Sequence, residues 1–201
     1  MKRTARIVLA ACAAALTLSA CAPLLVAGAA AGGALMYTDR RTSGIQIEDE
    51  GIELRAGARL REAFGDRAHV NVNSYNRVVL LTGEVPSEQA KQQAEQIVSR
   101  VENVKSIVNE LGVIGITTLS QRSSDTLVTG KVKASIVDAA DLQINAFKVI
   151  TERGTVYLLG RVTQREADKA TQIARTVSGV QRVVRVFEYL TEDELKRMQA
   201  R

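Results

Sequence analysis

The feature that most constrains this chain is an internal repeat. Residues 68–83 (AHVNVNSYNRVVLLTG) align without a gap to residues 145–160 (NAFKVITERGTVYLLG). Each copy holds two runs of period-two alternation around a turn, which is the pattern of a β-hairpin. Val70 and Val72 correspond to Phe147 and Val149, and Val79 and Leu81 to Val156 and Leu158. The turns fall at Tyr75-Asn76-Arg77 and Glu152-Arg153-Gly154, and Gly83 and Gly160 close the second strands. A repeat of this kind commits the chain to building one small unit twice.

Helical spacing surrounds each hairpin. After it, Ala90, Ala94, Ile97 and Val101 recur at intervals of three or four, as do Ala167, Ala170, Ile173 and Val177. Ser87 and Thr163 supply start signals, and Thr163-Gln164-Arg165-Glu166 has the form of a capping box. Before each hairpin, Ile52, Ala56 and Leu60 make a stripe that Val128, Val132 and Ile136 repeat. β-Rich runs close the copies at Val104 to Val113 and Val180 to Tyr189. Each unit therefore reads αββαβ, an α+β fold whose three-stranded mixed sheet packs one face on two helices. The expected domains are 46–113 and 125–190, with 114–124 as linker and 191–201 as a polar helical tail. Units this small are near the lower limit for folding alone, so two packed together gain stability.

The N-terminus reads as an export signal over 1–20. Lys2, Arg3 and Arg6 precede an apolar run from Ile7 to Leu18, too short to cross a bilayer. Leu18-Ser19-Ala20-Cys21 then has the form of a lipoprotein box, with Cys21 as the lipidation site and 21–45 as an Ala/Gly-rich tether. A single membrane helix over Ile7 to Met36 is disfavoured by Pro23, Gly28, Gly32 and Gly33. Ala22, where Asp would favour inner-membrane retention, points to the outer membrane of a Gram-negative cell. Cys12 leaves with the signal and Cys21 takes lipid, so the mature chain has no disulfide. Loss of the signal lowers the formal charge from +5 to +2, and aromatics make up 3%. Nucleic-acid binding, which needs a strong basic face and often stacking rings, is not expected.

Catalytic patterns are missing. His69 is the only histidine and reads as a packing or surface residue, because base chemistry needs positioned partners. There is no Cys/His cluster for zinc, no His-containing triad, and no Walker or dinucleotide loop. Glu48-Asp49-Glu50 reads as a solvated helix start rather than a metal site. We expect neither an enzyme nor a cofactor.

The helix stripe, the V-x-V hairpin, Leu81-Thr82-Gly83-Glu84-Val85, Leu159-Gly160-Arg161-Val162 and Ser178-Gly179-Val180-Gln181-Arg182-Val183 together resemble the BON domain. The first copy departs from the pattern, with Glu102-Asn103-Val104 where Gly-Val is usual. Two such domains behind a lipobox resemble the DolP family of outer-membrane lipoproteins, a likeness extended by Thr38 to Gly44 and by Asp125-Thr126. The resemblance implies binding of anionic, phosphatidylglycerol-like phospholipid through the first helix of the second domain, and a role in envelope integrity on the periplasmic face of the outer membrane. It also implies outer-membrane assembly or cell-division-site proteins as partners. On the residues, Asp125 reads as the N-cap of a helix over Thr126 to Val137. Val128, Val132 and Ile136 should face the sheet, leaving Leu127, Lys131, Lys133, Ala134 and Val137 as the lipid-facing set. Leu127 stands where a family relative carries Trp, and Gly130 weakens the helix. The bland alternative packs Leu127 against the first domain. Other readings are a protein scaffold or a holding chaperone without lipid binding.

Overall fold

A computed structural model describes residues 39–199; the signal peptide, Cys21 and the tether up to residue 38 lie outside the described residues. The first domain runs α1 (Ser43–Phe64), β1 (His69–Tyr75), β2 (Val78–Val85), α2 (Glu88–Ser99), β3 (Ser106–Asn109) and β4 (Gly112–Val113). The second runs α3 (Leu119–Val137), β5 (Phe147–Glu152), β6 (Thr155–Thr163), α4 (Gln164–Thr176) and β7 (Arg182–Leu190), followed by α5 (Glu192–Gln199). Both are the αββαβ unit. In each, the hairpin is antiparallel and the last strand joins the hairpin's second strand in parallel. In the first sheet that last strand is broken in two, with β3 and β4 both pairing β2.

Sequence chemistry places the joints. Ser87 and Thr163 accept from Ala90 N and Glu166 N, and the Thr163–Glu166 capping box is complete. Both hairpin turns have two residues at positive φ: Asn76 and Arg77 in one, Arg153 and Gly154 in the other. Such primed turns match the right-handed twist of the strands, but only glycine adopts them without strain. Asn103 (φ 66°) occupies the left-handed position after α2 that Gly179 (φ 98°) fills after α4. Asparagine tolerates that conformation better than other side chains, so the departure from Gly-Val costs little structure.

The cores follow the first-helix stripes; in the second helices Val98 and Ala174 are fully buried, while Ile97, Ile173 and Val177 of the expected stripes are only partly so. Ile52, Ala56 and Leu60 pack with Val79, Leu81, Ala90, Ala94 and Val98. Val128, Val132 and Ile136 pack with Val149, Val156, Leu158, Ala167, Ala170 and Ala174. The opposite sheet faces hold a surprise. Tyr75 and Leu80 from the first sheet meet Tyr157, Leu159 and Val186 from the second in a third buried cluster, with Val78, Val108, Ile150 and Val184 at its margin. The two sheets therefore stack, giving helices, sheet, sheet, helices, and residues from Arg40 onward form one unit. The continuous run Val78-Val79-Leu80-Leu81 carries this signal, because a strand buried on both faces loses its alternation.

Two further expectations are corrected. Helix α3 begins at Leu119, not Thr126, and its N-cap is Thr118, which accepts from Gln121 N at 3.3 Å. Much of the expected linker 114–124 is therefore helical. Asp49 likewise is not part of a solvated helix start: α1 begins at Ser43 on the Thr42 cap, and Asp49 is buried within it.

Candidate functional site

Asp49 and Asp125 occupy the same position of the repeat and do the same work. Asp49 accepts from the backbone N–H groups of Asn76 and Arg77, each at 2.8 Å. Asp125 accepts from those of Arg153 and Gly154 at 2.8 and 2.9 Å. Each first helix thus clamps its own hairpin turn, satisfying the donors that the left-handed backbone exposes. Asp49 also accepts from Ser74 Oγ and pairs with Arg41, whose guanidinium lies over the Tyr75 ring. Periodicity ignores charged residues on an apolar face, so the residue pattern implies a capping role for Asp125 and a solvated one for Asp49, and the clamp is seen only in the structure.

With Asp125 fixing its inner side, α3 turns a defined face to solvent. Leu127 is 68% exposed and Val137 57%. Lys131, Lys133 and Ala134 are exposed as well. Leu127 does not pack against the first domain, as the bland alternative required. At 3.6 residues per turn, Leu127, Gly130, Ala134 and Val137 share one stripe, and Lys131 and Lys133 flank it on opposite sides. Neither lysine has an ion-pair partner among the described residues. On neighbouring α4, Arg165 and Lys169 are tied to Asp141, whereas Arg175 has no ion-pair partner among the described residues.

The seam between the domains is polar at its edges. Buried Glu84 meets His69 Nδ1 at 3.1 Å, accepts from Thr117 N and Oγ1 at 3.3 and 3.2 Å, and lies 3.9 Å from Arg153 Nε. The lone histidine is thus a packing partner of Glu84. Across the seam, Asn71 Nδ2 donates to Glu152 at 2.9 Å. Burial pushes the Glu152 carboxyl above its ordinary range, and the Glu84 charge adds to that rise. Elsewhere Arg182 pairs with Glu110 at 2.6 Å, and Asn76 and Arg161 both reach Glu188. At the start of the body, Arg40 makes a two-pronged pair with Glu166, 2.7 Å for each bond, and donates to Arg161 O. Burial alone would raise Glu166, but the guanidinium and the Thr163 N–H hold it below its ordinary value. No group of three or more His, Cys, Asp or Glu side chains is arranged to hold a metal among the described residues, and no described helix is long and apolar enough to cross a membrane.

Two αββαβ units, each with a helix-clamped hairpin and a last strand added in parallel, define a tandem small-domain α+β protein. Residues 48–115 and 124–191 each match the BON domain, and the chain belongs to that family. It is 39% identical over 167 residues to the outer membrane lipoprotein DolP of Haemophilus influenzae, covering 82% of this chain and 86% of that protein. It is 33% identical to a 21 kDa hemolysin of Actinobacillus pleuropneumoniae, over 76% of this chain and 79% of the relative. Similarity to the osmotically-inducible protein Y of Escherichia coli is 32% over 57% of this chain and 58% of that one.

Proposed function

We propose that this protein is an outer-membrane lipoprotein, held by lipid on Cys21 at the periplasmic face, that lays α3 of its second domain on anionic phospholipid and supports envelope integrity. The observation that carries the reading is the exposed stripe of Leu127, Ala134 and Val137 between Lys131 and Lys133. An apolar stripe with cations at its flanks suits the lipid interface, where the side chains enter the acyl boundary and the ammonium groups meet phosphate. The kinship with the Haemophilus lipoprotein supports the location. Because Cys21 would already attach the chain, the helix acts in placing it rather than in holding it.

Flotation of the mature chain carrying Cys21→Ser, with phosphatidylglycerol and phosphatidylcholine vesicles, tests this. Binding should require phosphatidylglycerol, weaken with salt, and fall about tenfold in Leu127→Asp. Unchanged binding in Leu127→Asp would remove the assigned site. One observation favours an adaptor role as a second reading: Ile47 and Leu54 stand exposed on α1 among charges of both signs. A photo-crosslinker at Leu54, used in cells, should then capture a defined protein, and its failure to do so counts against the adaptor.

A further inference from the structure

The helix expected to begin at Thr126 extends back to Leu119, and this lengthens its apolar face. Eighteen residues make five turns, so Leu119 lies in line with Val137, about 27 Å away along the axis. Leu119 is 78% exposed. Just before it, Ile114 and Ile116 are 52% and 47% exposed, with Val113 at the rim. Most of the large apolar side chains left in water by this fold thus fall between residues 113 and 137. Scattered apolar exposure is ordinary, but a continuous run marks an interaction surface.

Resting on the lipid-binding reading of α3, we propose that the inter-domain segment Ile114–Thr118 and the first turn of α3 enter the same anionic membrane, with Ile114, Ile116 and Leu119 as a second inserting group beside Leu127. Three observations single out lipid as the occupant. Leu119 lies on the same helix face as the Leu127 stripe, with exposed Ser123 between them. The charge of this surface is mainly basic: from Val113 to Val137 the only acidic residue is Asp125, which is buried, against Arg122, Lys131 and Lys133, and one exposed acid, Asp138, follows at the helix end. The duplicate helix makes the contrast, since α1 carries Glu48, Glu50, Glu53 and Glu62 with Arg55, Arg59 and Arg61, and Arg55 is already paired with Glu48. Finally, the segment is held rather than loose. Thr117 donates twice to Glu84 and Arg122 donates to Thr117 O, so its side chains are presented without a large ordering cost.

The geometry also excludes one surface. With α1 and α3 on opposite outer layers of the four-layer body, their axes are separated by about 30 Å. Interfacial helices sink only about 5–10 Å. A flat membrane that takes α3 leaves Leu54 in water.

The chain has no tryptophan, so each introduced one is a sole reporter. In the mature chain with Cys21→Ser, Ile116→Trp, Leu119→Trp, Leu127→Trp and Leu54→Trp would be read with phosphatidylglycerol vesicles containing brominated acyl chains. The expected result is quenching at 116, 119 and 127 and none at 54, with about tenfold weaker binding in Leu119→Asp. Quenching at 127 with 116 and 119 remaining in water overturns this inference and leaves the α3 site standing. Quenching at 116 and 119 without 127 supports it and removes the Leu127 site. Quenching at 54 as strong as at 119, or none at any position, overturns it.

Discussion

Asp125 offers a sharp separation between two physical roles that one residue could play. As an N-cap it would hold backbone donors of its own helix; in the structure it holds the donors of Arg153 and Gly154 in the opposing hairpin turn. Serine tells the roles apart, because it caps a helix about as well as aspartate but is too short and uncharged to bridge two distant N–H groups. Hydrogen bonds to a buried charged group contribute about 1.5–3 kcal/mol each, and part of the gain is offset by the cost of burying the carboxylate. Removing the clamp should therefore cost about 3 kcal/mol. In a body of about 160 residues that corresponds to a fall in Tm of about 6–12 °C. Thermal unfolding of the mature Cys21→Ser chain, followed by far-UV circular dichroism, should show that drop in both Asp125→Ala and Asp125→Ser. Thr118→Ala, which removes the actual cap, should cost about 1 kcal/mol, or about 2–4 °C. A Tm for Asp125→Ser within about 2 °C of the parent, with Asp125→Ala well below it, would refute the clamp and restore the cap.

Glu152→Gln tests the seam through pH. The folded carboxyl titrates above its ordinary 4.5, so the folded form binds protons more tightly than the unfolded one, and stability is lost as pH rises through the folded value. The glutamine chain should match the parent at pH 4 and exceed it at pH 7 in urea unfolding; a loss at pH 7 contradicts the sign. Glu166 has the opposite sign: its folded value lies below 4.5, so its contribution is present at neutral pH and lost on acidification below about 4.5. Arg40→Ala should cost about 3–5 kcal/mol at pH 7 by leaving Glu166 buried and unpaired, and should flatten that acid slope. Arg40→Ala with Glu166→Gln should cost clearly less than the two single changes added together. Gly130→Ala places a methyl where nothing lies within 4 Å and should stabilise α3 by about 1 kcal/mol, read as a higher denaturation midpoint with an unchanged slope.

Much of the fold could be read from apolar spacing because apolar spacing is what the helix-facing cores use. Val70, Val72, Val79 and Leu81, with their partners in the second copy, all turn to the helices as the alternation implies. The stacked sheets were harder to see. In β5, Ile150 is apolar but Lys148 and Glu152 on the same face are charged, which looks solvated until a second sheet covers it. The exposure of Leu127, Lys131, Lys133, Ala134 and Val137 on α3 was legible for the converse reason: it is what remains when the stripe of Val128, Val132 and Ile136 is assigned to the core. What periodicity could not supply was the role of the acids. Asp49 and Asp125 sit at corresponding repeat positions, and a duplicated carboxylate next to a core stripe was the available signal.

The duplication has made two copies that are equivalent inside and unlike outside. Inside, the repeat keeps the helix stripe, the hairpin clamp and a left-handed residue after the second helix, because each solves a constraint of the fold. Outside, nothing in the fold decides whether the first helix carries acids or lysines, so that face was free to diverge. Sheet stacking then turns divergence into geometry. Once the two sheets share the Tyr75–Leu80–Tyr157–Leu159 cluster, the first helices are held on opposite layers, and one body presents two faces of different charge about 30 Å apart. A single unit could not do this, since its uncovered sheet face would expose Leu159 and Tyr157 to water. The sheet faces that make each unit inadequate alone are therefore what fix the orientation of α3, and Asp125 and Arg153 carry that orientation from the seam to the helix surface.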